Sequence, residues 1–482
     1  MNQLFSESLL GPDDVLPEVP AHIHYIGIGG SSMSGLAILT KDAGYTVSGS
    51  DRSCGPVLKT LADKGITVFS EQTAANITDD IDLIVYTVAV SPDNPELAAA
   101  RAKGLRIVER GRFLGMISRK YKYTVSVSGT HGKTTTTGML ASILLSGEFD
   151  PQIHIGGSLP LIGGSVRYSS GNFFVTEACE YHAHMLSIDT FGAIITNIEE
   201  EHVDFYGSMD ALMEAFSEFV RNCRPDGFIV VDKESATALV AASHARARVI
   251  TYALADSFLN ADYEASDIRH TSDGSVYKLL KHGKFCCEIK LHVPGRHNVL
   301  NSLAAICAAE ALNADPEAIR KGLDSFEGTG RRFQKISDEF GITLIDDYAH
   351  HPTEVEATLN AAREVISEGG RIFGLFQVHT FTRAKKFPEE FARALLSADD
   401  VVVADIYAAR EKDPGNVSGA SLAEFFRAKG VNARYISSFD DIAEYIIKHA
   451  RKNDIVISLG AGDINKVLNI ILQKLKDKNS NT

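Results

Sequence analysis

The segment Gly129-Thr130-His131-Gly132-Lys133-Thr134, followed by Thr135, puts two glycines, a lysine and several hydroxyls within seven residues. That combination suits the binding of phosphate. Gly129 and Gly132 let backbone N–H groups approach phosphate oxygens without side-chain bulk. Lys133 brings a point charge to the β and γ phosphates, and Thr134 can turn its hydroxyl to Mg²⁺. The β-branched run at 123–128 predicts a strand before the loop, and Lys133 to Leu145 a helix after it, whose N-terminus adds further donors. The first glycine of the full phosphate-loop pattern is missing, because Val127 stands there.

Carboxylates and imidazoles follow at the expected ends of later strands. Glu177 and Glu180 close one at 172–176; Asn197, Glu199, Glu200, Glu201, His202 and Asp204 follow another at 191–196. In open parallel sheets ligands gather at such carboxyl ends. These groups are candidate holders of Mg²⁺, with Mn²⁺ able to stand in; oxygen ligands dominate, which argues against zinc.

Two further clusters flank this centre. Near the N-terminus, Gly27-x-Gly29 resembles a dinucleotide turn with Ser32 in place of the third glycine, and Asp51 closes the next strand at a spacing suited to a ribose. Toward the C-terminus, Arg331 and Arg332 stand just before Phe333 at the domain start; Asp346 and Asp347 with His350 and His351, then His379, Arg383, Lys385 and Lys386, follow at the ends of predicted strands. Basic groups so placed can stabilise a transferring phosphoryl group.

These residues need α/β scaffolding to position them, and the chain supplies it three times. Short apolar runs at 23–28, 45–51, 66–69, 82–86 and 106–108 alternate with helical stretches, as they do again at 342–346, 371–376, 400–405, 432–436 and 454–458. Such alternation predicts parallel sheets covered on both faces. Residues 275–292 predict a meander, 298–313 an alanine-rich helix, and Lys474 to Thr482 a polar frayed tail. The predicted fold class is α/β with three domains: a Rossmann-like domain over 1–120, a central P-loop ATPase-like domain over 121–327 and a Rossmann-like C-terminal domain over 328–482. At about 100–200 residues per domain, 482 residues fit that number.

Composition narrows the class. Hydrophobic residues make up 44% and charged residues 23%, as in ordinary globular chains. With 48 Lys and Arg against 62 Asp and Glu the formal charge is −14, which disfavours a partner recognised through its nucleic-acid phosphates. Six scattered cysteines make neither a disulfide framework nor a paired metal site, and fit a reducing, cytoplasmic setting. Glu7, Asp13, Asp14 and Glu18, without an early basic cluster, argue against a signal peptide, and no apolar run has the length of a membrane span.

Taken in order, GIGGSSMSG (27–35), SGSD (48–51), GTHGKTTTT (129–137), EACE (177–180), TNIEEEH (196–202), PGRHNVLN (294–301), RRF (331–333), DDYAHHPTE (346–354), HTFTR (379–383) and GAGD (460–463) resemble the Mur ligases over nearly the whole chain. Ser32 and Val378 depart from that pattern, and EACE runs on into YHAH. Relatives that add later amino acids carry a carbamylated lysine in the region of 203–220, which here has no lysine; by resemblance the chain fits the alanine-adding branch.

The resemblance implies ATP-dependent joining of L-alanine to the lactyl carboxylate of UDP-N-acetylmuramic acid in peptidoglycan precursor synthesis. The carboxylate takes the γ-phosphoryl group, and the amine then displaces phosphate from the acyl phosphate. It implies ATP and Mg²⁺ as cofactors, small-molecule partners only, and a monomer or weak homodimer. By position it implies that Gly129, Thr130, His131, Gly132, Lys133, Thr134, Thr135, His297, Asn298, Asn301, Arg332 and Asp347 bind ATP. Thr134, Glu177 and His202 would hold metal. Gly29, Ser31, Met33, Ser34 and Asp51 would hold the UDP-sugar. Tyr348, His379 and Arg383 would hold the amino acid, with Lys133, His202, Arg332, His379 and Arg383 in the chemistry. A ligase that recycles a murein tripeptide shares nearly all these motifs and is the nearest rival. An NAD-dependent dehydrogenase would explain the first turn alone, and a non-enzymatic nucleotide scaffold the loop without a second metal ligand.

Overall fold

The computed structural model describes residues 9–52, 55–271 and 274–480, with the side chains at 203, 204, 479 and 480 also outside the description. Glu7, the side chain of Asp204 and the last two residues of the expected tail therefore lie outside the described residues. Among these residues there are three sheets. The first has five parallel strands in the order Thr67–Phe69, Thr46–Ser50, His22–Ile26, Leu83–Tyr86, Arg106–Glu109. Tyr25, Ile26, Leu83 and Ile84 are fully buried, as a sheet covered on both faces requires. The first strand ends at Ile26, short of the expected residue 28, because Gly27 turns the chain at φ 84°.

The second sheet has ten strands. At its centre Tyr123–Ser128 runs parallel between Phe173–Glu177 and Gly192–Ile195, so three strand ends converge on one edge. The expected meander is present as Gly274–Lys281 and Lys284–Leu291. Gln152–Leu159 and Gly164–Arg167 form an antiparallel pair that the sequence reading did not foresee; their three glycines and polar residues carry little strand signal.

The third sheet orders Gln334–Ser337, Thr343–Asp347, Ile455–Leu459, Ile372–Phe376, Asp400–Val403 and Ala433–Tyr435, parallel apart from the first, antiparallel strand. The expected frayed tail is corrected here: helix Lys466–Ser480 continues through Lys474. Val467, Leu468 and Ile471 anchor its buried face, while Lys474 pairs with Asp440 at 3.3 Å and Glu444 at 3.0 Å.

By contact the chain forms two compact units. One comprises Met1–Ser266, Leu279–Cys287 and Leu300–Phe326; the other comprises Asp267–Lys278, Glu288–Val299 and Glu327–Thr482. The five described cysteines are free, and no helix among the described residues is long and apolar enough to cross a membrane.

Candidate active site

In the first unit the loop after Tyr123–Ser128 is held open by its neighbours. Gly129 has φ 130° and Gly132 φ 84°. A Cβ on Gly129 would lie 2.1 Å from Thr196 Oγ1, and one on Gly132 2.5 Å from Asn301 Oδ1, so both positions need glycine on two counts. The Thr130 amide donates to the Asn197 carbonyl and the His131 amide to Asn197 Oδ1, each at 2.9 Å. The Glu199 amide donates to Thr130 Oγ1 at 2.8 Å. Asn197 and Glu199 thus brace the loop, and Glu199 also faces His131 at 3.6 Å. Helix Lys133–Ser146 starts with Gly132 at its N-cap and no side chain capping it, the arrangement that receives an anion. Asn301 reaches this place from helix Arg296–Ala311, and accepts from Thr136 Oγ1 at 3.2 Å.

Lys133 curls back over the loop. Its ammonium donates to the Gly129 carbonyl, to the Thr130 carbonyl at 3.1 Å and to Glu180 Oε1 at 3.0 Å. Glu180 Oε1 in turn lies 3.3 Å from His202 Nε2. Burial on its own would raise the Glu180 pKa; the Lys133 charge and the His202 hydrogen bond outweigh it and hold the carboxyl at about 2. Burial likewise works against the charged form of Lys133, but the Glu180 carboxylate prevails and raises its pKa. Sequence reasoning noted Glu180 and gave the metal role to Glu177. In the structure it is Glu180 that joins Lys133 to His202, while Glu177 accepts from the Gly156 amide at 2.6 Å and adds its charge to the field at Lys133. Glycines that tolerate no Cβ, an uncapped helix start and a lysine at its first position fit a nucleotide polyphosphate. Thr134, Glu177 and His202, two oxygen donors and one imidazole, fit Mg²⁺.

In the N-terminal turn the Gly29 amide donates to Asp51 Oδ2 at 2.8 Å, and the Gly27 and Ile28 amides both donate to the Ser50 carbonyl. Ser31 opens helix Ser31–Asp42, and its hydroxyl donates to the Gly156 carbonyl at 3.2 Å. Ser32 also lies in the helix, not in the turn, and bonds His154 Nε2 at 3.2 Å. The structure sorts the expected residues: Gly29, Ser31 and Asp51 line the turn. Met33 belongs to the core, and the Ser34 hydroxyl is spent on the Ser31 carbonyl at 3.0 Å.

The second unit gathers the remaining residues at the ends of its parallel strands. Arg331 and Arg332 place their guanidinium groups 4.9 and 5.3 Å from the centre of the Tyr348 ring. Arg332 pairs with Glu354 at 3.1 Å, and Glu354 pairs with His350 at 3.1 Å. The His350 ring is 6.1 Å from that of His379, which stacks on Tyr407 at 5.6 Å and 18°. Arg383 Nη1 closes the chain on His379 Nδ1 at 3.3 Å. Helix Phe381–Lys386 begins two residues after His379, so the pair meets across the Thr380 N-cap. Asp347 accepts from the Phe333 and Ala349 amides at 2.8 and 2.7 Å; burial, opposed by Arg332, pushes its carboxyl up to about 6. Burial and then the Arg332 charge hold His297 down to about 4, and the Asn298 side chain donates to the Pro294 carbonyl at 2.6 Å.

Sequence reasoning placed His350 in this group but missed Glu354 and Tyr407. Glu354 carried a signal: it stands three residues after His351, the capping-box position, and its side chain serves as one. Tyr407 carried none, since only the loop after Asp400–Val403 brings it to His379.

Comparison with known proteins accounts for the whole arrangement. Family models described as Mur ligase family catalytic domain, Mur ligase middle domain and Mur ligase glutamate ligase domain match residues 22–122, 127–309 and 331–462. The UDP-N-acetylmuramate–L-alanine ligase of Acetivibrio thermocellus is 43% identical over 95% of this chain and 96% of its own length. The crystal structure of the UDP-N-acetylmuramate-alanine ligase of Thermotoga maritima superposes with a TM-score of 0.80 at 29% identity, covering 95% of this chain and 99% of that one. The murein peptide ligase of Psychrobacter arcticus gives 0.70 at 25%, covering 94% and 98%. With three Mur ligase family models matched in succession and a relative this similar over nearly its full length, the chain belongs to the Mur ligase family.

Proposed function

We propose that this protein joins L-alanine to the lactyl carboxylate of UDP-N-acetylmuramic acid with hydrolysis of ATP to ADP and phosphate, a step of peptidoglycan precursor synthesis in the cytoplasm. The observation that carries this reading is the Gly129–Thr134 loop, closed to any Cβ, with Lys133 and two acid-bearing strand ends beside it, in a chain 43% identical to an L-alanine ligase. Residues 1–120 take the UDP-sugar, 121–327 take ATP, and 328–482 take the amino acid.

A carboxylate is a poor acceptor for an amine, and transfer of a phosphoryl group gives it a leaving group. Positioning and charge neutralisation do most of that work. Lys133 binds the phosphates, with the loop amides and the start of helix Lys133–Ser146. Thr134, Glu177 and His202 hold Mg²⁺, which when bound neutralises phosphate charge. Asn301 braces Gly132, and His297 and Asn298 lie at the base. Asp347 meets the ribose and Arg332 the phosphates. Gly29 and Ser31 receive the UDP-sugar at the helix start, and Asp51 meets a ribose hydroxyl. Tyr348, His379 and Arg383 form the L-alanine pocket, Arg383 as a fork for the α-carboxylate.

The experiment supplies ATP, Mg²⁺ and UDP-N-acetylmuramic acid with each amino acid in turn, and separately with a murein tripeptide, and measures phosphate release. Release with L-alanine well above that with the tripeptide supports the reading. The reverse order assigns the chain to peptide recycling, and no release with any acceptor removes the ligase function.

A further inference from the structure

We propose that Glu180 is a positioning residue that fixes Lys133 and His202 in one arrangement and holds His202 as the Nε2–H tautomer, so that Nδ1 is the atom offered to a divalent cation; this rests on the ATP-dependent reading of the site. The Glu180 side chain is 4% exposed, and a charge so buried must be matched by its neighbours. Both its oxygens face the Lys133 ammonium, Oε1 within a hydrogen bond and Oε2 at ion-pair distance only. Oε1 accepts from Lys133 at 3.0 Å and lies 3.3 Å from His202 Nε2, and Oε2 lies 2.9 Å from Lys133 Nζ. A carboxylate has no proton to give, so the proton between Glu180 and His202 must sit on Nε2. The lone pair of a neutral ring is then on Nδ1. A carboxylate that orients a metal-binding histidine through its other nitrogen is a general device, and its loss weakens metal binding.

The backbone is bent to make this contact. His202 has φ 54°, a strained value for a residue with a Cβ, and its ring lies 4.7 Å from that of Tyr181 at 35°. Glu180 is held from the other side: its carbonyl accepts from the Tyr206 hydroxyl and from the Ala183 amide at 2.9 Å. Lys133 has three protons and three acceptors in Gly129, Thr130 and Glu180, so its ammonium has one orientation. Glutamine at 180 would keep the shape but turn an NH₂ group toward either the ammonium or the imidazole N–H.

The test begins with the metal-free, nucleotide-free protein and long-range ¹H–¹⁵N spectra of its histidine rings, with His202→Gln supplying the assignment. The parent should show His202 as a single Nε2–H tautomer, and Glu180→Gln should show a mixture. Binding of Mn²⁺ with ADP, followed by electron paramagnetic resonance, should weaken about 10- to 100-fold in Glu180→Gln and recover in part in Glu180→Asp, which restores the charge. An Nδ1–H or mixed ring in the parent overturns the proposal, as does a variant with the parental ring pattern and Mn²⁺ affinity within about twofold. The parental ring pattern decides by itself if Glu180→Gln fails to fold. It is also read without turnover, so failure of the ligase assay is a separate result.

Discussion

Arg383 donates through one nitrogen, Nη1, to both the main-chain carbonyl of His379 at 3.1 Å and the Nδ1 of its ring at 3.3 Å. A guanidinium can only donate, so the neutral His379 ring keeps its proton on Nε2 while this contact holds. Such a ring orients a neighbour by donating from Nε2 and has no free site for the amine's proton. The pair is therefore suited to orienting a neighbouring acceptor through Nε2–H, not to taking up a proton at Nδ1.

Arg383→Lys keeps the charge and loses the fork and the hold on His379. Steady-state kinetics with each substrate varied in turn should show the apparent KM for L-alanine rising about tenfold or more, the cost of one charge-assisted hydrogen bond. The KM for ATP should barely move. Equal rises for both substrates, or no rise, would take the pair out of the amino-acid pocket.

For Lys133→Ala two effects should separate. Turnover is lost with the phosphate contact. Stability also falls, because Glu180 is left as a buried charge with one partner fewer, a loss of about 3 kcal/mol or more when one member of a buried pair is removed. Adding Glu180→Gln to Lys133→Ala should recover much of the melting temperature and none of the turnover. A double variant that melts no higher than the single one would show that the pair is not what the lysine stabilises.

How far all this could be read beforehand differs from place to place. The strand, loop and helix around Gly129 to Lys133 were legible because the signal is local: β-branched residues, two glycines, then a helical run. The choice between Glu177 and Glu180 was not. They stand three apart, and which one reaches Lys133 is set by the tight turn at Tyr181–Ser187, where His182 and Ala183 both take φ 54°. Neither residue type announces that conformation. Met33 read as a site residue from its motif, yet its helix turns it into the core. The Arg332–Glu354–His350–His379 chain needed the start of Gln334–Ser337 and the ends of Thr343–Asp347 and Ile372–Phe376 at one edge, which only the sheet order supplies.

Metal binding should depend on Glu177 and His202 together. In crystals grown with Mn²⁺, nucleotide and UDP-N-acetylmuramic acid, anomalous density should lie beside both side chains, and Glu177 should exchange its hydrogen bond from the Gly156 amide for the ion. Glu177→Gln should raise the Mg²⁺ concentration for half-maximal rate by at least about tenfold. Density that touches Glu180 instead of Glu177 would reassign the ligand.

Gly29→Ala would bring a Cβ to 2.9 Å from Asp51 Oδ2 and break the hydrogen bond from the residue-29 amide that orients this carboxylate. The KM for the UDP-sugar should rise by about tenfold, as expected for an overpacked contact of about 1–3 kcal/mol, with the KM for ATP unchanged. An unaltered sugar KM would remove the Gly29–Asp51 turn from the binding site.

His154 gives the first unit an acid limit. It sits between Ser32 Oγ and Thr176 Oγ1, each at 3.2 Å, on the contact between the N-terminal helix and the central sheet. Burial, aided by the Arg110 charge, lowers its pKa from 6.5 to about 4. Between those values the unfolded chain binds a proton that the folded one refuses, so stability rises with pH across the interval. The contribution is fully present above pH 6.5 and is lost as the pH falls toward 4; its full size is about 3 kcal/mol. Other histidines and carboxylates titrate in the same range, so the informative quantity is the difference between the parent and His154→Gln, which cannot protonate. Thermal melting at pH 7.5, 6 and 5 should show the variant less stable than the parent at pH 7.5 and the gap narrowing as acid is added. A gap that stays constant from pH 7.5 to 5 would mean that His154 takes up its proton in the folded protein as readily as in the unfolded chain.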